Sequence, residues 1–183
     1  MIRTYLARVA SANIREAECR LATQEICYPG ISSCMTITFV NNHLMVGIHC
    51  TVANTSDEIR DAINEIKAKI ASEFSECYVI GALSVFKPNV FDKTICTRKK
   101  ISNEIIKHIK ILSNIKFHDT TMHADTQRNA HIFIRKNPFS ISYCAAAKCL
   151  VSGQTPPLSV GRKYISANQF TTINNISDMI ICR

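Results

Sequence analysis

The segment from Cys34 to His49 constrains this chain more than any other. Met35-Thr36-Ile37-Thr38-Phe39-Val40 reads as a strand, the polar pair Asn41-Asn42 as a turn, and Leu44-Met45-Val46-Gly47-Ile48 as a strand running back. Antiparallel pairing returns the chain to its starting level, so His49 is expected beside Cys34, fifteen positions earlier. A thiol next to an imidazole is the minimum for a cysteine nucleophile, because the base removes the S–H proton and the thiolate attacks. The plainer alternative is that both are core residues. The chain carries nine cysteines and six histidines, and a buried free cysteine ordinarily acts as a small hydrophobe.

A length of 183 residues suits one domain, 1–183, with one sizeable core, and 46% apolar and 20% charged residues are ordinary for a globular protein. No run reaches the roughly 18 apolar residues of a membrane-spanning helix, so no stable membrane insertion is expected. The first twelve residues end in a small-residue stretch, but Arg8 interrupts them and no apolar core of a cleavable signal peptide is present. The cysteines are odd in number and form no C-x-x-C pair, and the Cys144–Cys149 spacing has no matching second pair. That argues against a zinc ribbon and a disulfide framework and favours a reducing compartment. The net charge of +8 favours acidic partners. Arg98-Lys99-Lys100 is the only tight basic cluster, with no zinc-finger spacing and no aromatic RNA-binding motif, so no nucleic-acid partner is expected.

Beyond the hairpin, residues 2–9 read as a first strand and residues 13–27 as ambiguous, with a short helix among the readings. Pro29-Gly30 reads as a break just before the Ser32-Ser33-Cys34 turn. Thr55 and Glu58 form a capping-box pattern, followed by Ile59, Ile63, Ile66, Ile70 and Phe74 on one face of a helix expected to end near Glu73. Residues 77–85 read as a buried strand, 102–112 as a second helix, 115–118 and 131–135 as strands, and 119–130 as a polar loop. A last strand is expected at 179–182. The pattern is α+β.

Ser32-Ser33-Cys34-Met35-Thr36-Ile37, a turn, and an apolar strand closing on Ile48-His49 resemble the active-site hairpin of the cytotoxic-necrotizing-factor and CheD-like glutamine deamidases. Cys34, Thr36, Ile37 and His49 match position by position over about 20 residues, and the Cys-to-His interval is that of the toxin branch. The resemblance implies a single layered α/β sandwich domain, central β-sheets flanked by helices. It implies a protein-glutamine deamidase with Cys34 as nucleophile and His49 as base, and the Ser32–Ser33 turn as the source of oxyanion donors. No metal and no organic cofactor is needed. The family often has Gly before the cysteine, where Ser33 stands here. CheD-type members orient the imidazole with an upstream threonine, whose place here falls near Tyr28; the toxin branch uses a backbone carbonyl. Thr23 and Ser32 are the side chains left as alternative orienting groups, each also readable as a turn or capping residue.

The partner implied is a target protein bearing the reactive glutamine, such as a host GTPase, and the implied setting is a secreted effector acting as a monomer in host cytoplasm. Substrate choice is assigned to loops 119–130 and 152–164. His43 is expected at the far end of the hairpin, and Cys50 on the opposite strand face from His49. His118, His123 and His131 match no standard metal-ligand spacing. The competing class is a non-enzymatic binding or immunity protein with Cys34 and His49 in its core.

Overall fold

The expected hairpin is present. Strand β5 (Met35–Val40) pairs antiparallel with β6 (Met45–Cys50), setting Thr36 opposite His49 and Met35 opposite Cys50. Asn41 closes the turn: its side-chain oxygen accepts from the backbone N–H groups of His43 and Leu44. The structure, a computed structural model, describes residues 1–70, 73–83, 115–127, 129–145 and 161–173. The expected 102–112 helix and 179–182 strand lie outside those residues, as do Arg98-Lys99-Lys100, His108 and most of loop 152–164.

The other described strands are β1 (Arg3–Tyr5), β2 (Ser11–Asn13), β3 (Glu18–Ala22), β4 (Glu25–Ile31), β7 (Glu76–Gly81), β8 (Ile115–Asp119), β9 (Ala130–Arg135), β10 (Ser140–Ala145), β11 (Lys163–Tyr164) and β12 (Thr171–Ile173). They form a seven-stranded mixed sheet, β1-β3-β6-β5-β7-β8-β12, and a five-stranded mixed sheet, β11-β10-β9-β4-β2. Helix α1 (Ser56–Lys69) starts with the Thr55–Glu58 capping box and packs Ile59, Ala62, Ile63 and Ile66 on the large sheet.

Every residue of β5 and β6 is buried because their sheet is covered on both faces. Met35, Ile37, Phe39, Val46, Ile48 and Cys50 point to the helix side. Val40, Met45, Tyr78 and Ile80 meet Ile26, Tyr28, Ile132 and Ile134 of the small sheet in a second core between the sheets. The period of two therefore places His49 and Thr36 on the inter-sheet face and Cys50 away from them, as expected. The α+β class holds. Among the described residues, helical cover is α1 alone.

Several expectations are corrected. The short helix read at 13–27 is instead the end of β2, all of β3 and the start of β4. Glu18 and Arg20 lie on the inner face of β3 as an ion pair, which masks its alternation. Residues 2–9 form a strand over Arg3–Tyr5 only, and α1 ends at Lys69 rather than near Glu73. Pro29-Gly30 does not end a strand. It forms a bulge inside β4, where the register shifts between Tyr28 and Ile31 and Gly30 takes φ +66°. The expected 119–130 loop contains two single 3₁₀ turns, Thr120–Met122 and Ala124–Thr126.

Cys19, Cys27, Cys34, Cys50 and Cys77 are free and buried. Cys144 departs from the free-thiol pattern and is disulfide-bonded.

Candidate active site

Two crossovers between the sheets frame the site. β2 lies in the small sheet and β3 in the large one, so the chain crosses at residues 14–17; β4 and β5 likewise differ in sheet, so it crosses again at 32–34. The first crossover is pinned to the hairpin: Ala17, at φ +55°, donates its N–H to the His49 carbonyl. A non-glycine residue in the left-handed region is uncommon and persists where surrounding contacts hold it. The second crossover is the Ser32-Ser33-Cys34 bend.

His49 has no exposed surface. Its Nδ1 lies 2.9 Å from the carbonyl oxygen of Ile14. A carbonyl can only accept, so Nδ1 carries the proton and the lone pair of the neutral ring sits on Nε2. Nε2 is buried with no hydrogen-bond partner. Burial also lowers the pKa of His49, against the opposing effects of the Ile14 carbonyl, Glu16 and Glu18, so the ring is neutral at pH 7. The arrangement is a buried neutral base in a defined tautomer with its accepting nitrogen unused.

The strand opposite supplies Glu18, in register with His49 and buried at 4% exposure. It is held by Arg20 Nε at 2.9 Å, the Arg15 N–H at 3.2 Å and Arg3 at 3.6 Å. Across the sheets, the Tyr28 ring meets the imidazole edge-on at 6.0 Å, and its hydroxyl shares a 2.6 Å hydrogen bond with Thr38. Thr36 donates to the Ile80 carbonyl at 2.7 Å.

Cys34 lies two residues before Thr36, on the inter-sheet side and at the His49 end of the hairpin. It is 3% exposed. No hydrogen bond joins it to His49; its Sγ–H donates instead to Glu16 Oε1 at 3.8 Å. Burial, then the Glu16 carboxylate, push the thiol up to about 11, against donation from the hydroxyl and N–H of Ser33. At neutral pH the pair is therefore a thiol and a neutral imidazole, not a preformed thiolate–imidazolium pair.

The structure brings Cys34, His49 and the Ser32–Ser33 bend to one end of the hairpin, as expected, with the Cys34 thiol on Glu16 and not on His49. Thr23 is elsewhere. It follows Ala22, which pairs with Met45 at the opposite end of β6, and its hydroxyl donates to Val9. The orienting group of His49 is the Ile14 carbonyl, a backbone atom that no residue type encodes. Glu16 was also missed, because nothing in the sequence shows that two crossovers meet. Tyr28 had an available signal: a glycine inside a strand marks close approach, and Gly47 lies under the Tyr28 hydroxyl.

The remaining described histidines are separate from this pair. His43 lies at the hairpin turn, as expected, and His131 Nδ1 accepts from the Gly30 N–H. His118 and His123 face each other through Nε2 at 2.8 Å, with His118 Nδ1 against the Gln169 carbonyl and His123 tilted over Tyr143. Among the described residues no three His, Cys, Asp or Glu side chains converge as metal ligands. A separate cavity of about 390 Å³, lined by Ser11, Gln24, Glu25, Arg135 and Asn137, lies at the other end of β4.

These histidines set an acid sensitivity. Burial lowers the pKa of His49 and His118, and burial plus the facing His118 lowers that of His123. Unfolded, each titrates near the ordinary histidine value of about 6.5, so below it the unfolded chain binds more protons. Stability is fully present above that value and is lost as pH falls. The melting temperature should drop between about pH 7 and pH 5, before the carboxylates titrate. His123→Gln should flatten the drop; an unchanged melting temperature over this window would contradict the assignment.

No family model matches the chain, and no curated protein is significantly similar to it. Among the described residues no helix is long and apolar enough to cross a membrane.

Proposed function

We propose that this protein is a protein-glutamine deamidase of the cytotoxic-necrotizing-factor and CheD-like type, a layered α/β sandwich with Cys34 as nucleophile and His49 as base. The observation that carries the reading is the state of His49: Nδ1–H tied to a backbone carbonyl, Nε2 unpartnered, at the end of the hairpin where Cys34 enters. A merely structural buried histidine ordinarily has both nitrogens satisfied.

In the reaction, His49 Nε2 takes the Cys34 proton as Sγ attacks the carboxamide carbon of a glutamine side chain. The bend at Ser32–Ser33 supplies N–H donors to the tetrahedral oxyanion. The C–N bond breaks, the nitrogen takes the proton from His49, and ammonia leaves a thioester. Water attacks the thioester with His49 again as base; the C–S bond breaks, the sulfur is reprotonated, and glutamate is released. No redox step and no cofactor enters this sequence.

The target class we favour is a regulatory protein of a host cell, with the enzyme delivered as an effector into a reducing cytoplasm; the five free thiols among the described residues suit that setting, and the disulfide at Cys144 does not. In a GTPase whose glutamine orients the hydrolytic water, conversion to glutamate would lock the active state. The test is intact and peptide mass spectrometry of small GTPases incubated with wild type and with Cys34→Ser. A gain of about 1 Da at one glutamine, from wild type only, is expected from the amide-to-acid exchange. No shift removes that target class.

The burial of both side chains favours a second reading, a binding or immunity protein in which they are core. Absence of ammonia release from every glutamine-bearing protein offered, together with lost stability in Cys34→Ser, would favour it.

A further inference from the structure

Glu16 stands where the two crossovers meet. It is exposed, yet its carboxylate accepts a hydrogen bond from the Cys34 S–H at 3.8 Å, and its charge acts on both Cys34 and His49. The thiol is thus hydrogen-bonded to the group beside its base, while the base has an empty acceptor. A carboxylate at a catalytic mouth cannot donate a hydrogen bond; it can only accept one, and it repels anions. A primary carboxamide offers two N–H donors to such a group. A carboxylate product offers none.

We propose that Glu16 is the substrate-recognition residue of this site: its carboxylate accepts the –NH2 of a primary carboxamide, and in doing so releases the Cys34 thiol to His49. The inference rests on the deamidase reading for its biological substrate, but the chemistry of the three side chains stands apart from it. Binding exchanges one donor on Glu16 for another. The freed S–H turns to Nε2, the carboxamide carbon is held next to sulfur, and the thiol becomes reactive only when an amide is present. Glutamate, once formed, faces a like charge and leaves.

The test uses three thiol alkylators on the full-length protein: iodoacetamide, its N,N-dimethyl analogue and iodoacetate. Rates at Cys34 are read by peptide mass spectrometry and referenced to N-acetylcysteine, with Cys34→Ser as blank. Wild type should favour iodoacetamide over the dimethyl analogue by about tenfold, because only the former carries N–H donors for the charged acceptor. Glu16→Ala should abolish that preference. It should also raise the absolute rate with the dimethyl analogue, because the thiol is no longer held. Glu16→Gln, which keeps an acceptor without its charge, should fall between. Iodoacetate should react slowest with wild type and gain most in both variants. Since Glu16 is exposed, both variants should melt as wild type does. An iodoacetamide preference equal in wild type and Glu16→Ala overturns the proposal, even if deamidation is found. A preference that depends on Glu16, with no ammonia released from any protein, upholds the carboxamide site and overturns the deamidase reading alone.

Discussion

Cys34→Ser and His49→Asn should each lower ammonia release from a glutamine-bearing target by at least about a thousandfold, with the fold retained. Removing either member of a nucleophile–base unit typically costs as much as removing both, so the double variant should be no worse than the singles. The choice of asparagine matters. Its amide N–H2 can replace Nδ1–H as donor to the Ile14 carbonyl, while nothing replaces the base at Nε2. His49→Ala, by contrast, strands that buried carbonyl and should cost about 1–3 kcal/mol of stability besides activity. Activity lost in His49→Ala and kept in His49→Asn would mean the imidazole only holds the crossover in place. The pH profile separates the groups further. On the deamidase reading the basic form of His49 is the active one, and burial lowers its pKa, so the acid limb should lie below the ordinary histidine range. Alkylation of the resting Cys34 thiol should be slow at pH 7 and rise toward about 11. A midpoint near neutrality would show a preformed thiolate.

Gly47→Ala should destabilise the protein by about 1–3 kcal/mol or more, as overpacking of a filled core does, and should impair the site as well. A Cβ at position 47 would lie 2.1 Å from the Tyr28 hydroxyl oxygen and 2.5 Å from Ile14 Cδ1. Both neighbours are fully buried and have nowhere to go. Tyr28 would lose its hydrogen bond with Thr38 and its edge contact with His49, and Ile14 would carry its carbonyl away from the imidazole. Tyr28→Phe in the same chain removes the nearest clash but leaves the ring carbon and Ile14, so it should recover part of the melting temperature only. A Gly47→Ala protein that melts like wild type would show that the sheets can part at this point.

The hairpin was legible because its information is local. An apolar run, two asparagines and a second apolar run specify pairing within twenty residues, and a register with Thr36 opposite His49 then sends Cys34 and His49 to one end. The capping box of α1 was legible for the same reason: Thr55 and Glu58 satisfy each other's backbone within one turn. The strands at 11–31 were not, because their pairing depends on segments far away. β3 hides its alternation behind the Glu18–Arg20 ion pair, and β4 spans a Pro-Gly bulge that reads locally as a break.

By itself the sequence determined a cysteine and a histidine at one end of a common hairpin. Only the tertiary structure decided their chemical states, through contacts made when the sheets close. The Ile14 carbonyl selects the tautomer of His49, burial keeps that ring neutral, and burial with the Glu16 carboxylate beside it keeps Cys34 a thiol. Each effect comes from a backbone atom, a solvent boundary or a crossover segment that no pattern of side chains records, because desolvation and hydrogen bonding depend on what surrounds a group and not on what it is.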